Sequence, residues 1–314
     1  MRRKIGIAAT SAIVLAAALS AIHFMAFDTS GGIDCSVACQ QTGAGARDEL
    51  IAEHLVGGVP PLTDTAHQTI LARNAYVICF NCLARIPEWV AYHVTPDYLN
   101  VPDREGEYDE FHPDPDISGE ARDADYDGWW TERGYDRGHL APYAIAGGDR
   151  DGDGSYAVFP FDDPSNDLED ARTLCEINYM SNIAPQHWKF NRSGGLWYEL
   201  ERKLQDEWVE TDQRDLWVIA GCVLGEGKLE GIGDDGDILV PPMFYKIVIE
   251  EQTSSKVLAF LFPHQRVAHG EIEDFLVSID VIESLTGFDF FPNLEEHLES
   301  EIEDRDTSEN WSAF

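Results

Sequence analysis

Three runs late in the chain, Leu216–Leu224, Met243–Glu250 and Lys256–Phe262, are dense in β-branched and aromatic residues. Such side chains crowd a helix but fit a pleated sheet, so the fold is expected to be built around strands. Residues 75–94 alternate enough to add two more strands, turning around Asn81–Arg85. Two helices follow from period. Trp197, Leu200, Leu204 and Trp208 recur at three- and four-residue spacing and place Glu201 beside their apolar stripe. Ile272, Phe275, Leu276, Ile279, Ile282 and Leu285 mark the second, with Gly287 as its stop. Strands separated by long helical and loop segments imply an α+β domain. Residues 28–73 read as an irregular lead. Residues 96–128, rich in aspartate, glutamate and proline, read as a long solvated loop, and residues 295–314 as an acidic tail. With 44% hydrophobic residues and no linker dividing the middle, residues 28–294 are expected to form one domain with a sizeable core.

The first 27 residues open with Met1, Arg2, Arg3 and Lys4 and continue as an apolar run from Ile5 to about Phe27. A positive start before an apolar stretch is the pattern of a secretory signal, and the run is also long enough to be a retained membrane anchor. Either outcome puts the domain outside the cytoplasm, secreted or periplasmic if the segment is cleaved. Six cysteines in an exported chain favour disulfides over free thiols. The net charge of -36, from 58 acidic and 22 basic residues, argues against binding a polyanion through the whole surface. Two readings reconcile charge and partner. Arg133, Arg137, Arg172, Lys189, Arg192, Arg202 and Lys203 gather positive charge at a local cleft, or high salt screens the repulsion as in a salt-adapted protein.

Chemistry concentrates in one stretch. Arg137 stands two positions before His139 at what reads as a tight, glycine-containing bend through Gly138. A guanidinium is always charged and grips phosphate through paired donors, while an imidazole can accept a proton from water near neutral pH. Asn178, Asn182, Gln186 and Asn191 follow as a series of amides, and then Trp197 and one carboxylate, Glu201.

In this order, with Asp34, Cys35 and Cys39 upstream and Pro242, Phe244 and Lys246 downstream, these residues resemble the DNA/RNA non-specific endonucleases of the ββα-metal type. The resemblance spans roughly residues 33–292 and implies a central antiparallel sheet flanked by helices. It implies hydrolysis of DNA and RNA without sugar specificity, yielding 5′-phosphate and 3′-hydroxyl ends. Carried onto this sequence, it makes His139 the general base and Asn191 the ligand of one divalent ion, Mg²⁺ with Mn²⁺ as substitute. Glu201 would hold a metal-bound water, Arg137 would bind the phosphate, and Asn182 would make a polar contact near metal waters or phosphate. Asp136, Asn178 and Gln186 would support these groups. The resemblance pairs Cys35 with Cys39. Pairing of Cys79 with Cys82 and of Cys175 with Cys222 is one arrangement of the remainder, and a four-thiolate zinc site from Cys35, Cys39, Cys79 and Cys82 is another. Oligomeric state stays open, a homodimer included, and a membrane is a partner only if the N-terminal segment is retained.

Two departures stand out. Between Asn191 and Trp197 the chain carries two residues more than the family spacing, and the glycines Gly194 and Gly195 are expected to absorb them in a loop. Position 205 is glutamine where the secreted enzymes have arginine. An impaired nucleic-acid-binding protein of the same fold is therefore the alternative function, whereas a two-metal phosphodiesterase would need a carboxylate cluster that the residues near His139 do not supply. Finally, Asp149, Asp151, Asp153 and Gly154 copy the first half of a calcium loop, but Pro160 occupies the twelfth position. A solvated acidic loop is the leading reading there and structural Ca²⁺ the alternative.

Overall fold

The apolar runs pair edge to edge. In the computed structural model, which describes residues 44–117, 119–126, 134–145, 147–158, 160, 163–225, 227, 229–250, 256–264, 270–294 and 311, eleven strands are seen. They are β1 (Gln68–Ala72), β2 (Val77–Asn81), β3 (Ile86–Val94), β4 (Tyr135–His139), β5 (Ile183–His187), β6 (Leu216–Val223), β7 (Gly231–Ile232), β8 (Ile238–Leu239), β9 (Met243–Glu250), β10 (Val257–Pro263) and β11 (Leu276–Val277). Seven form one sheet in the order β1-β2-β3-β6-β9-β10-β11, antiparallel at every pairing. The helices are α1 (Ala44–His54), α2 (Leu168–Ile177), α3 (Trp188–Asn191), α4 (Leu196–Arg202) and α5 (Ile279–Thr286).

Every residue of β6 and β10 is buried, which explains why these runs are apolar throughout rather than alternating. Both faces of the sheet are covered. On one face Val90, Tyr92, Val218, Phe244 and Phe260 pack against Leu140, Ile183, Phe190, Trp197, Leu200 and Trp208. On the other, Trp89, Ile219, Tyr245 and Ile247 pack against Leu50 and Ile51 of α1, Ile279 and Ile282 of α5, and Phe288 to Phe291. Burying side chains of this size contributes about 1.5–3 kcal/mol each, so the sheet is the main source of stability. The second ladder, β4 with β5, lies on the first face together with α3 and α4.

Several expectations are corrected. The lead over residues 28–73 contains α1 and edge strand β1 in its described part; α1 has little apolar periodicity, and packing of Leu50 and Ile51 holds it against the sheet. Residues 96–128 are irregular, but not solvated throughout: Tyr108, Ala121 and Tyr126 are fully buried in the described part. The bridges of Arg73 to Asp114 and Asp116 pin this segment to the turn after β1. Gly138 is no bend; it lies within β4, opposite Ala184 of β5. The helix expected over Ile272–Leu285 is split, because Leu276 and Val277 pair with Phe260 and Ala259 to extend the sheet and α5 starts only at Ile279. Gly287 ends it in the left-handed conformation as expected, with φ 77°. Trp197 and Leu200 lie on α4, and the chain continues as a π-helix over Lys203–Thr211 that carries Leu204 and Trp208 into the core. Cys79, Cys175 and Cys222 are not disulfide-bonded, so neither the Cys79–Cys82 nor the Cys175–Cys222 pair forms. Cys82 is disulfide-bonded instead, which also removes it from a zinc site. Cys35, Cys39, the N-terminal apolar run, Arg133 and residues 295–310 lie outside the described residues. Among the described residues no helix is long and apolar enough to cross a membrane.

One row across the sheet sets its tolerance. Cys79, Trp89, Gly221 and Tyr245 stand in register, and the bare Gly221 makes room for the Tyr245 ring, whose hydroxyl donates to the Glu88 carbonyl at 3.3 Å. A Cβ at Gly221 would lie 2.2 Å from the Tyr245 ring and 2.4 Å from the Glu88 carbonyl oxygen. Gly221→Ala is expected to cost about 2–4 kcal/mol in chemical denaturation, because a strand carbonyl cannot retreat; a loss under about 1 kcal/mol would contradict this packing.

Candidate active site

The β4–β5 ladder sets the site. Side chains two apart on a strand share a face, so Arg137 and His139 emerge together. Pairing of His139 with Ile183 and of Gly138 with Ala184 ties the first motif to the second. The segment that follows, Tyr143–Ile145, forms a short 3₁₀ turn beneath α4.

His139 is half-buried, and its Nε2 lies 3.1 Å from Oδ1 of Asn178. An amide oxygen only accepts, so Nε2 carries the proton and Nδ1 keeps the lone pair. The amide cannot flip, because its Nδ2 donates to the Tyr108 carbonyl at 2.8 Å. The same Oδ1 accepts from Arg104 at 3.2 Å. Burial and the Arg104 charge hold the imidazole pKa down at about 3, opposed by the bond to Asn178. His139 is therefore neutral across the physiological range. Phe111 flanks its ring at 5.5 Å between centroids, and Arg104 lies over Phe111 at 5.3 Å.

Arg137 is held by Asp123 through an ion pair of its Nε and a 2.8 Å bond from Nη2 to the Asp123 carbonyl. Its guanidinium also lies 5.6 Å from both the Phe111 and Tyr126 rings. Across the ladder Asp136 accepts from Arg192 Nε at 2.8 Å and from Asn191 Nδ2 at 3.4 Å. That leaves the Asn191 carbonyl oxygen without a partner among the described residues. The free amide oxygen of Asn191 is a hard-oxygen donor, which fits a divalent ion of the Mg²⁺ type. The two extra residues after Asn191 are taken up by a turn in which Gly194 has φ 84° and Gly195 caps α4 against the Phe190 carbonyl.

Glu201 sits on α4, half-buried, beside a small cavity lined by Tyr92, Pro142, Ile145, Tyr198 and Gln205. Lys246, fully buried in the middle of β9, donates to Glu201 at 3.1 Å with its ammonium 3.9 Å from the Trp197 ring centroid. Burial raises the carboxyl pKa and lowers that of the lysine, and their attraction opposes both. Arg202, three positions before Gln205 on the same helical run, pairs with Asp206.

Other expected groups do different work. Asn182 is fully buried: its Oδ1 accepts from Ala141 N at 3.0 Å, and its Nδ2 donates to the carbonyls of Ala141 at 2.9 Å and Ile177 at 2.8 Å. It braces the chain just beyond His139, and its amide is spent on main chain rather than offered to substrate. Gln186 is buried with both amide atoms unbonded, lying over Gly138, where a Cβ would meet it at 2.3 Å. His187 caps α3 by accepting from Lys189 N. Expected positive groups are largely neutralised, Arg137 by Asp123, Arg192 by Asp136, Arg202 by Asp206 and Lys203 by Glu207.

Sequence reasoning missed Arg104, Tyr108 and Phe111, which approach the site from the segment read as solvent-exposed. Lys246 had a usable signal: a lysine inside a strand buried on both faces requires a charged partner. Asn182→Ala strands three buried main-chain groups, so it is expected to destabilise the protein by about 2–4 kcal/mol in urea denaturation. An unchanged denaturation midpoint would return Asn182 to the expected role of a polar contact near metal waters or phosphate.

The DNA/RNA non-specific endonuclease family model matches residues 60–297. Human mitochondrial nuclease EXOG is 26% identical over 75% of this chain and 59% of its own length, so the chain spans under two thirds of that relative. A protein named nuclease from Nostoc sp. is 26% identical over 81% of this chain and 86% of its own. A solved complex of EndoG with EndoGI, titled for the mechanism of EndoG inhibition, superposes with a TM-score of 0.57 over 81% of this chain and 95% of that one, at 24% identity, and shows the shared α+β fold. With the antiparallel ladder of β4 and β5 leading into α3 and the family model covering most of the chain, the protein belongs to the DNA/RNA non-specific endonucleases.

Proposed function

We propose that the protein is an endonuclease that hydrolyses phosphodiester bonds of both DNA and RNA with one divalent ion, leaving 5′-phosphate ends. The observation that carries the reading is the locked tautomer of His139: Oδ1 of Asn178 accepts a hydrogen bond from Nε2–H, which leaves the Nδ1 lone pair for a water. Names of the similar proteins point to the same chemistry.

In this reading His139 takes a proton from the attacking water at Nδ1. Arg137, positioned by Asp123, Phe111 and Tyr126, binds the phosphate and the charge that develops on it. Asn191 Oδ1, aimed by the bond to Asp136, and Glu201, steadied by Lys246, would hold a Mg²⁺ or Mn²⁺ and its waters. Such an ion supplies Lewis acidity at the phosphate and an acidic water for the departing 3′ oxygen. Little base preference is expected, because phosphate contacts carry no sequence information.

Export completes the reading, supported by the basic and apolar N-terminal pattern and by the disulfide at Cys82. The acidic excess, with most site arginines already ion-paired, favours a working environment of high salt in which repulsion of a polyanion is screened.

Plasmid nicking and RNA degradation, measured with Mg²⁺ across a salt series, test this directly. Cleavage should persist to molar salt, vanish with EDTA, and fall on the order of 10²–10⁴-fold in His139→Ala. Nucleic-acid binding without any cleavage would establish the impaired binder instead. The pH profile checks the histidine separately. A folded pKa of about 3, below the ordinary 6.5, keeps the base neutral as pH falls from 7 towards 4, so kcat/KM should lack an acid limb at 6.5. Arg104→Ala removes a charge that disfavours the imidazolium and should move the limb upward. A wild-type limb near 6.5, unmoved by the substitution, would contradict the assignment.

A further inference from the structure

The loop over residues 149–154 gathers acid without base. Carboxylate oxygens of Asp149, Asp151 and Asp153 lie within 4.8 Å of one another. None has an ion-pair partner among the described residues, and the one basic residue between them turns away: Arg150 lies 4.0 Å from the Tyr98 ring centroid and 3.6 Å from Glu53. Main-chain amides of Gly152 and Gly154 wrap Asp149 at 2.8 and 2.9 Å.

A separate side chain points to what the cluster lacks. Asp170, in the first turn of α2, is only 1% exposed. Its Oδ1 accepts from the main-chain N of Arg150, between two of the loop aspartates, at 3.1 Å. Its Oδ2 is buried with no hydrogen-bond partner. Asp170 and Asp151 line the same cleft of about 260 Å³; Arg172 also reaches this cleft but pairs with neither. Burial and the charges of Asp167, Asp151 and Asp149 raise the Asp170 pKa to about 6. A buried carboxylate oxygen left unbonded, within reach of the charges of Asp151 and Asp149, costs free energy that a cation would recover.

We propose that Asp149, Asp151, Asp153 and Asp170 form a structural Ca²⁺ site separate from the reaction centre. Three carboxylates on a glycine-rich loop and a fourth from α2 suit an ion that takes six to eight oxygens in flexible geometry better than Mg²⁺, which demands strict octahedral geometry and keeps its waters. The distal carboxylate comes from α2 rather than from the twelfth loop position, where Pro160 stands. The ion would clamp the loop to α2, whose last residue, Ile177, precedes the Asn178 that orients His139. It would stiffen the site from behind without entering the reaction.

Calorimetric titration of the EDTA-stripped chain with CaCl₂ at constant ionic strength, with melting temperature as second readout, decides it. One ion per chain should bind with Kd in the roughly 10⁻⁶–10⁻³ M range of such loops, and a hundredfold excess should raise Tm by roughly 5–10 °C. The Asp151→Asn/Asp153→Asn double variant should lose both responses without a lower metal-free Tm, since it also relieves repulsion. Asp170→Asn should weaken binding about tenfold or more, a loss of about 1.4 kcal/mol, while Asp235→Asn on a distant loop should not. Absence of saturable heat up to about 10 mM Ca²⁺, well above the weakest such affinities, would overturn the proposal. So would an equal Tm rise from NaCl at matched ionic strength, or one retained by the double variant; that is what general screening of an acidic surface produces.

Discussion

The Asn178 amide is the joint on which the site depends. Its nitrogen is fixed by the Tyr108 carbonyl, and its oxygen receives both Arg104 and His139. Three pieces of chain distant in sequence meet at that one group: the irregular segment before residue 126, the strand β4, and the end of α2. Each bond is worth only about 0.5–1.5 kcal/mol net, yet an amide with both ends committed fixes which ring nitrogen faces outward. Burial, and after it the positive charge of Arg104, keep the ring neutral, so orientation and protonation state are set at the same place.

Around that joint the protein accepts the cost of buried charge where it gains position. Asp114 accepts from Arg73 and from the Ser181 hydroxyl at 2.6 Å, and its main-chain amide donates to the carboxyl of Glu120, tying the irregular segment to the motif that carries Asn178 and Asn182. Lys246 and Glu201 repeat the device between the central sheet and α4. Removing one partner of such a pair leaves an uncompensated charge at a cost of about 3–5 kcal/mol, which gives these contacts leverage over geometry even where their net contribution to stability is small. Asn182 does the same without charge, spending its amide on the backbone beyond His139.

The central strands were legible because β6, β9 and β10 are buried on both faces and cannot tolerate polar interruption. The exception, Lys246, is informative for the same reason. Trp197, Leu200, Leu204 and Trp208 were legible as a stripe, though their period did not show that the later half widens into a π-helix. The split at Leu276 was not, since apolar residues at helical spacing also satisfy a two-residue edge strand when β10 offers bonding groups. Arg137, His139, Asn191 and Glu201 stood out by residue type and order. Arg104 and Phe111 did not, because a segment rich in aspartate and proline reads as solvated until Arg73 and Arg85 are seen to anchor it. Asn182 and Gln186 show the limit of pattern: an amide in a motif can serve the backbone or simply fill space over Gly138.

The most direct test of the account is the state of one ring. Nitrogen-15 imidazole NMR of the folded protein, with His139→Gln to assign the signal, reports tautomer and titration together. A neutral ring protonated at Nε2 that does not titrate between pH 7 and 5 is the predicted result. An Nδ1-protonated ring, or a midpoint near the ordinary value of about 6.5, would contradict the claim that Asn178 and Arg104 set up the base.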